Sequence, residues 1–164
     1  MIEITITKED IALAKDKAAD MGKLQGSITN GKGNIFGWLG KIVVARYLNA
    51  PPFKTYDFDM VLGDGTKVQV KTKKTSVQPL TSYECSVTAD NLQECDWYVF
   101  VRVKNDLSKA WILGYLPKDE FLKIAMFMHK GEKHGDNGWI VSADCYNVLI
   151  SALKPLQESN ASAS

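Results

Sequence analysis

At the start of the chain Ile2, Ile4 and Ile6 alternate with Glu3, Thr5 and Thr7, the period-two pattern of a short extended segment. The period then changes. Ile11, Ala14, Ala18 and Met21 recur at helical spacing, with Leu13 at the margin, and predict a helix from about Lys8 to Met21. Thr7 followed by Asp10 has the form of a capping box with Asp in place of the usual Glu, and Gly22 is a candidate C-cap. Residues 26–34 are rich in Gly, Ser, Thr and Asn and read as a loop. A second helix is expected from about Ile35 to Leu48, ended by Pro51 and Pro52. Gly37 and Gly40 sit in its first turns, where each costs up to about 1 kcal/mol against Ala. Close approach of a sheet or a ligand would offset that cost.

A hairpin follows: Tyr56 to Leu62, a turn at Gly63-Asp64-Gly65, then Thr66 to Thr72. Further strands are expected at Ser82 to Thr88, Trp97 to Val103 and Ala110 to Gly114. Trp97-Tyr98-Val99-Phe100-Val101 is nearly all apolar, as a strand covered on both faces would be. Pro117, followed by Asp119 and Glu120, opens a third helix to about Met128. Residues 130–138 read as a Gly-rich loop, Trp139 to Val141 and Tyr146 to Ile150 as extended, with a helical turn before Pro155. This order predicts an α/β (α+β) domain over residues 1–156, a central mixed β-sheet flanked by helices, and a small polar, disordered tail over 157–164.

Composition narrows the setting. A chain of 164 residues suits one domain, and 45% hydrophobic with 24% charged residues is ordinary for a globular protein. No apolar run approaches the roughly 18 residues a membrane helix needs, and the alternating N-terminus is not a signal peptide. Cys85, Cys95 and Cys145 are odd in number and lack metal-ligand spacing, which favours a reducing, cytoplasmic setting. His129 and His134 stand among Lys130, Lys133 and Asp136 and read as surface-loop residues. Net charge is +1, but residues 1–80 carry +4 and residues 81–164 carry −3, so one basic face is expected. Gly31-Lys32-Gly33 lacks the rest of a phosphate-loop pattern.

The chemistry-bearing residues lie in the hairpin. Residues two apart in a strand share a face, so Gln69, Lys71 and Lys73 point one way and Val68 and Val70 the other; Asp57 and Asp59 also share a face. A three-residue loop with Gly65 in the left-handed region sets Leu62 opposite Thr66 and Asp59 opposite Gln69. Carboxylate, amide and ammonium would then meet on one face. A two-residue loop would turn Asp59 away.

An Asp, a hairpin, then an acid or Gln, any residue and a Lys resembles the PD-(D/E)XK nuclease superfamily, carried here by Asp59, Gln69 and Lys71. The Gly37-Trp38-Leu39-Gly40 helix resembles the family's first core helix, and Asp96-Trp97-Tyr98-Val99-Phe100-Val101 with Gly114-Tyr115-Leu116 resembles its later strands. The likeness spans about residues 30–125. It implies a restriction-endonuclease-like core and a metal-dependent endonuclease acting on DNA, structure-selective or weakly sequence-selective, of the compact kind found in phage or mobile elements. It also implies Mg²⁺ (or Mn²⁺) on Asp59, Gln69 and the Val70 carbonyl, Lys71 beside the attacked phosphate, and homodimerisation as in many members. Lys41, Lys73, Lys74 and Trp38 would meet nucleic acid.

One position departs from the family pattern: after Gly40 the family carries a Glu that completes the metal site, and here stands Lys41. Three alternatives follow. Glu84 or Asp57 supplies the missing acid; the metal enters only with a DNA phosphate; or the domain is catalytically impaired and binds DNA or a protein partner. Without the helix and strand context, Asp59 and Lys71 would read as a plain cross-strand ion pair, and the lysines as a solvated edge that blocks aggregation. Trp97, Trp111 and Trp139 are expected in the core.

Overall fold

The computed structural model describes residues 1–25, 35–51, 58–90, 92–134 and 138–158. Strand β1 (Ile2–Thr5) leads into helix α1 (Lys8–Gln25). The capping box forms as the sequence predicts: the Asp10 N–H donates to Thr7 Oγ1 at 3.1 Å and the Thr7 N–H to Asp10 Oδ2 at 3.0 Å. The helix runs past Gly22 to Gln25, so Gly22 is an interior residue and not its cap. A single interior glycine costs a helix about 1 kcal/mol and does not end it.

Helix α2 spans Ile35–Leu48, the predicted bounds. It stops before the prolines: Asn49 takes a left-handed φ of 51° and the Ala50 N–H reaches back to the Ala45 carbonyl at 2.9 Å. Arg46 ties the two helices together, its guanidinium 2.8 Å from Asp10 Oδ2 and 3.0 Å from the Thr5 carbonyl. The predicted loop over 26–34, with Gly31-Lys32-Gly33, lies outside the described residues, as do residues 52–57, which hold Pro52 and the first two positions of the predicted hairpin.

The fold is α+β around a mixed sheet. β2 (Met60–Val61), β3 (Lys67–Thr75), β5 (Trp97–Lys104) and β6 (Lys109–Pro117) join β1 in the order β1-β6-β5-β3-β2. The β3–β5 pair is parallel and the others antiparallel. β4 (Glu84–Thr88), β7 (Met126–Met128) and β10 (Cys145–Leu149) form a second sheet with β10 in the middle. β8 (Lys133–His134) and β9 (Trp139–Ile140) make a small hairpin.

The layers explain the sequence pattern of β5. Val99 and Val101 pack with Val68, Val70 and the buried face of α2, while Tyr98 and Phe100 pack with Phe121 of helix α3 (Lys118–Ile124) and Cys85 and Val148 of the second sheet. Covered on both faces, β5 is apolar at nearly every position. Helices therefore flank one face of the main sheet, and the second sheet with α3 flanks the other.

Three local expectations fail for identifiable reasons. Helix α3 stops at Ile124, and Met126–Met128 is a strand paired with β10, because a short apolar run fits either period and the partner decides. The loop over 130–138 contains β8. Trp139 is 42% exposed on β9 instead of buried, whereas Trp111 is in the core.

All three cysteines are buried, and burial pushes the Cys85 thiol up to about 12 and the Cys95 thiol up to about 11. Burial shields all three sulfurs, and thiolate, the reactive form, is scarce at Cys85 and Cys95, so native protein at pH 8 should resist iodoacetamide and take up label only on unfolding. Stoichiometric labelling of the native chain, counted by mass spectrometry, would contradict this packing.

Candidate nucleic-acid interface at the β2–β3 hairpin

The hairpin turn has the predicted three-residue form. The Leu62 N–H donates to the Thr66 carbonyl and the Gly65 N–H to the Leu62 carbonyl, both at 2.9 Å, with Gly65 at φ +89°. The Thr66 N–H also donates to Asp64 Oδ1 at 2.9 Å, and this contact with Thr66 holds the Asp64 carboxyl below its usual range. Pairing then runs Val61 with Lys67 and Met60 with Val68.

At the next residue the ladder departs from expectation. The Asp59 N–H donates to the Val68 carbonyl at 2.7 Å, so Asp59 and Met60 both fall opposite Val68, the two-against-one count of a β-bulge. Asp59 is therefore not simply opposite Gln69. Its carboxylate closes on two other groups: Oδ2 accepts the Val70 N–H at 2.7 Å, and Oδ1 lies 3.2 Å from Lys41 Nζ on α2. Asp59 is 1% exposed, while the Lys41 side chain keeps 27% of its surface. Helix α2 can come this close because Gly40 has no side chain; a Cβ there would collide with the Thr72 hydroxyl.

Among the described residues β2 pairs only with Lys67 and Val68 of β3, and Asp59 Oδ2 takes the Val70 N–H beyond them. The candidate residues lie along β3 from Gln69 onward. Lys71 donates to Gln93 Oε1 at 3.1 Å, and burial lowers its pKa although the Asp59 charge works the other way. Gln69 is buried and its Oε1 has no hydrogen-bond partner. Lys73 donates to Ser86 Oγ at 3.2 Å, and burial, then the Arg102 charge, lowers its pKa. Lys74 stands over the Phe36 ring at 5.0 Å. Val70 is in the core beside α2 and meets Asp59 through its N–H.

Other expectations are corrected. Glu84 does not complete a carboxylate pair with Asp59: it binds His134 Nε2 at 2.7 Å, and its charge acts on Lys73, further along β3. His134 is thus engaged and not merely a loop residue. Trp38 is 7% exposed, under Lys41 Nζ at 4.4 Å, so it supports the ammonium and offers little face to a base. Asp57 lies outside the described residues.

These donors do not fit a divalent cation as arranged. Mg²⁺ asks for hard oxygens in an open octahedral set. Here one carboxylate has an oxygen on a backbone N–H and the other on an ammonium. Among the described residues, no cluster of three or more Asp, Glu, His or Cys side chains could hold a metal. A divalent cation within about 4 Å of an ammonium is opposed by about 8 kcal/mol at an effective dielectric of 20. The cluster has the charge of an anion site, with Asp59 against Lys41 and Lys71.

Several contributors escape a reading by spacing. Gln93, which holds Lys71, is 22 residues away, and Ser86, which holds Lys73, is 13 away. Arg102 could have been found: apart from Lys104 at the strand's end, it is the one charge in an otherwise apolar β5. Compared with protein-family models and with curated proteins, the chain matches none.

Proposed function

We propose that this domain binds DNA along the lysine-bearing strand β3 on a PD-(D/E)XK-type scaffold, and that it does so without metal and without cutting. The observation that carries this reading is the Lys41–Asp59 contact at 3.2 Å. The ammonium stands on the carboxylate that a nuclease of this kind would give to its metal, and it turns a cation site into one with surplus positive charge. Lys41 and Lys74 on the α2 side of β3, and Lys71 and Lys73 on the side of the second sheet, then meet phosphates as counter-charges. Their alternative role, guarding an open sheet edge against pairing, predicts no affinity for DNA.

Fluorescence anisotropy with short duplex, branched and single-stranded DNA in EDTA tests this. Binding is expected with a Kd on the order of 10 µM at physiological salt, weakening steeply as salt rises. Lys71→Ala should reduce the salt slope by about 1. No product should appear with Mg²⁺ or Mn²⁺.

The second reading is the endonuclease itself, with a DNA phosphate drawing Lys41 off Asp59. The unpartnered Gln69 Oε1 favours it, since a buried oxygen without a donor is costly unless something binds it. Cleavage by the native chain that disappears in Lys71→Ala would establish this reading over the first.

A further inference from the structure

A cavity of about 120 Å³ lies between β3, β5 and β4, lined among others by Lys71, Lys73, Arg102, Glu84, Ser86 and Phe100, and so shares two lysines with the proposed DNA-binding strand. That volume admits several waters or one tetrahedral oxyanion. We propose that it is a binding site for a phosphate dianion, either the free ion or the terminal monoester of a polynucleotide.

The charge count favours this ligand. Lys71, Lys73 and Arg102 bring three positive charges, and Glu84 returns one negative charge that it shares with His134 at 2.7 Å. Two positive charges remain, the complement of a phosphate dianion. The donors are placed and only partly used. Arg102 is fixed by an Nη2 bond to the Glu84 carbonyl at 3.0 Å and by the Tyr83 ring at 5.2 Å, yet its buried Nε–H has no acceptor. Lys73 spends one of its three donors on Ser86 Oγ, and Ser86 is held in turn by Asn147. Lys73 and Arg102 line the same cavity, and burial first and the Arg102 charge second lower the Lys73 pKa, so two cations stand near each other. An oxyanion between them would relieve that repulsion and accept the unused guanidinium hydrogen. Phe100 and Leu113 supply an apolar wall that strengthens such contacts by excluding water.

The site shares Lys71 and Lys73 with the proposed DNA-binding strand but is tested first without DNA, so the two readings fail separately. Titration calorimetry of the full chain with inorganic phosphate should give one site with a Kd on the order of 1 mM or tighter. Arg102→Gln and Lys73→Gln should each weaken it at least about tenfold, while Lys109→Gln, on the far β1–β6 edge, should not. Circular dichroism on each variant separates loss of the site from loss of the fold, and Lys73→Arg should retain binding. An oligonucleotide with a 5′- or 3′-phosphate, compared with its dephosphorylated form, distinguishes the sources. A gain that Arg102→Gln removes assigns the site to strand ends. Phosphate binding without such a gain assigns it to the free ion. No phosphate binding, or binding undiminished in both Arg102→Gln and Lys73→Gln, overturns the proposal.

Discussion

Lys41→Glu is expected to make the protein's stability depend on a divalent cation. The substitution sets a second carboxylate against Asp59, which is 1% exposed and already committed through Oδ2 to the Val70 N–H. Removing one partner of a buried pair costs about 3–5 kcal/mol, and replacing it by a like charge lies at the upper end. For a domain of this size that is a fall in melting temperature of about 10 °C or more in EDTA. The same change sets two carboxylates side by side, the hard oxygens that a divalent cation needs first. Mg²⁺ or Mn²⁺ should therefore restore stability, by about 2.7 kcal/mol at a concentration of one hundred times the Kd. Lys41→Met removes the ammonium and adds no ligand, so it should lose stability in EDTA and gain nothing from metal. Melting curves of the three proteins, with EDTA and with millimolar Mg²⁺, check the prediction. Equal metal dependence in all three would refute it.

Opposite signs are expected at two glycines three residues apart on α2. A Cβ on Gly37 meets no described heavy atom within 4 Å, so Gly37→Ala should stabilise the helix by up to about 1 kcal/mol. A Cβ on Gly40 would overlap the Thr72 hydroxyl and stand 3.0 Å from Thr72 Cβ. Gly40→Ala should cost about 3 kcal/mol, since α2 must lift from β3. The lift carries Lys41 away from Asp59, so the change reaches the site as well as the core. Thr72→Ala removes the hydroxyl but leaves its Cβ, and in the double variant it should recover only part of the loss. Denaturant melts of the four proteins measure the cycle. Additive losses would show that α2 does not rest on Thr72.

These predictions divide along the line between local and non-local information. The Thr7–Asp10 box, the bounds of α2 and the Gly63-Asp64-Gly65 turn were legible because each is decided within a few residues. The apolar run of β5 announced a strand covered twice, and the sheet bears that out. Met126–Met128 was not legible, since its partner in β10 begins 17 residues further on. The site divides in the same way. Counting back from the turn placed the Asp59 carboxylate beside β3 but missed the bulge, which frees it to meet the Val70 N–H and Lys41. The departure at position 41 was visible as a charge without a reason. Its partner, 18 residues away on another element, appears only when α2 docks. Gln93, Glu84 and His134 were beyond reach for the same cause, as side chains whose partners lie 22 and 50 residues away in the chain.

Stoichiometric Mn²⁺ binding, followed by electron paramagnetic resonance of the free ion, decides whether Lys41 closes Asp59 to metal. An ammonium on Asp59 predicts no site in the native chain at millimolar Mn²⁺, with or without duplex DNA, and one site in Lys41→Glu. A single Mn²⁺ bound by the native chain and lost in Asp59→Asn would contradict it.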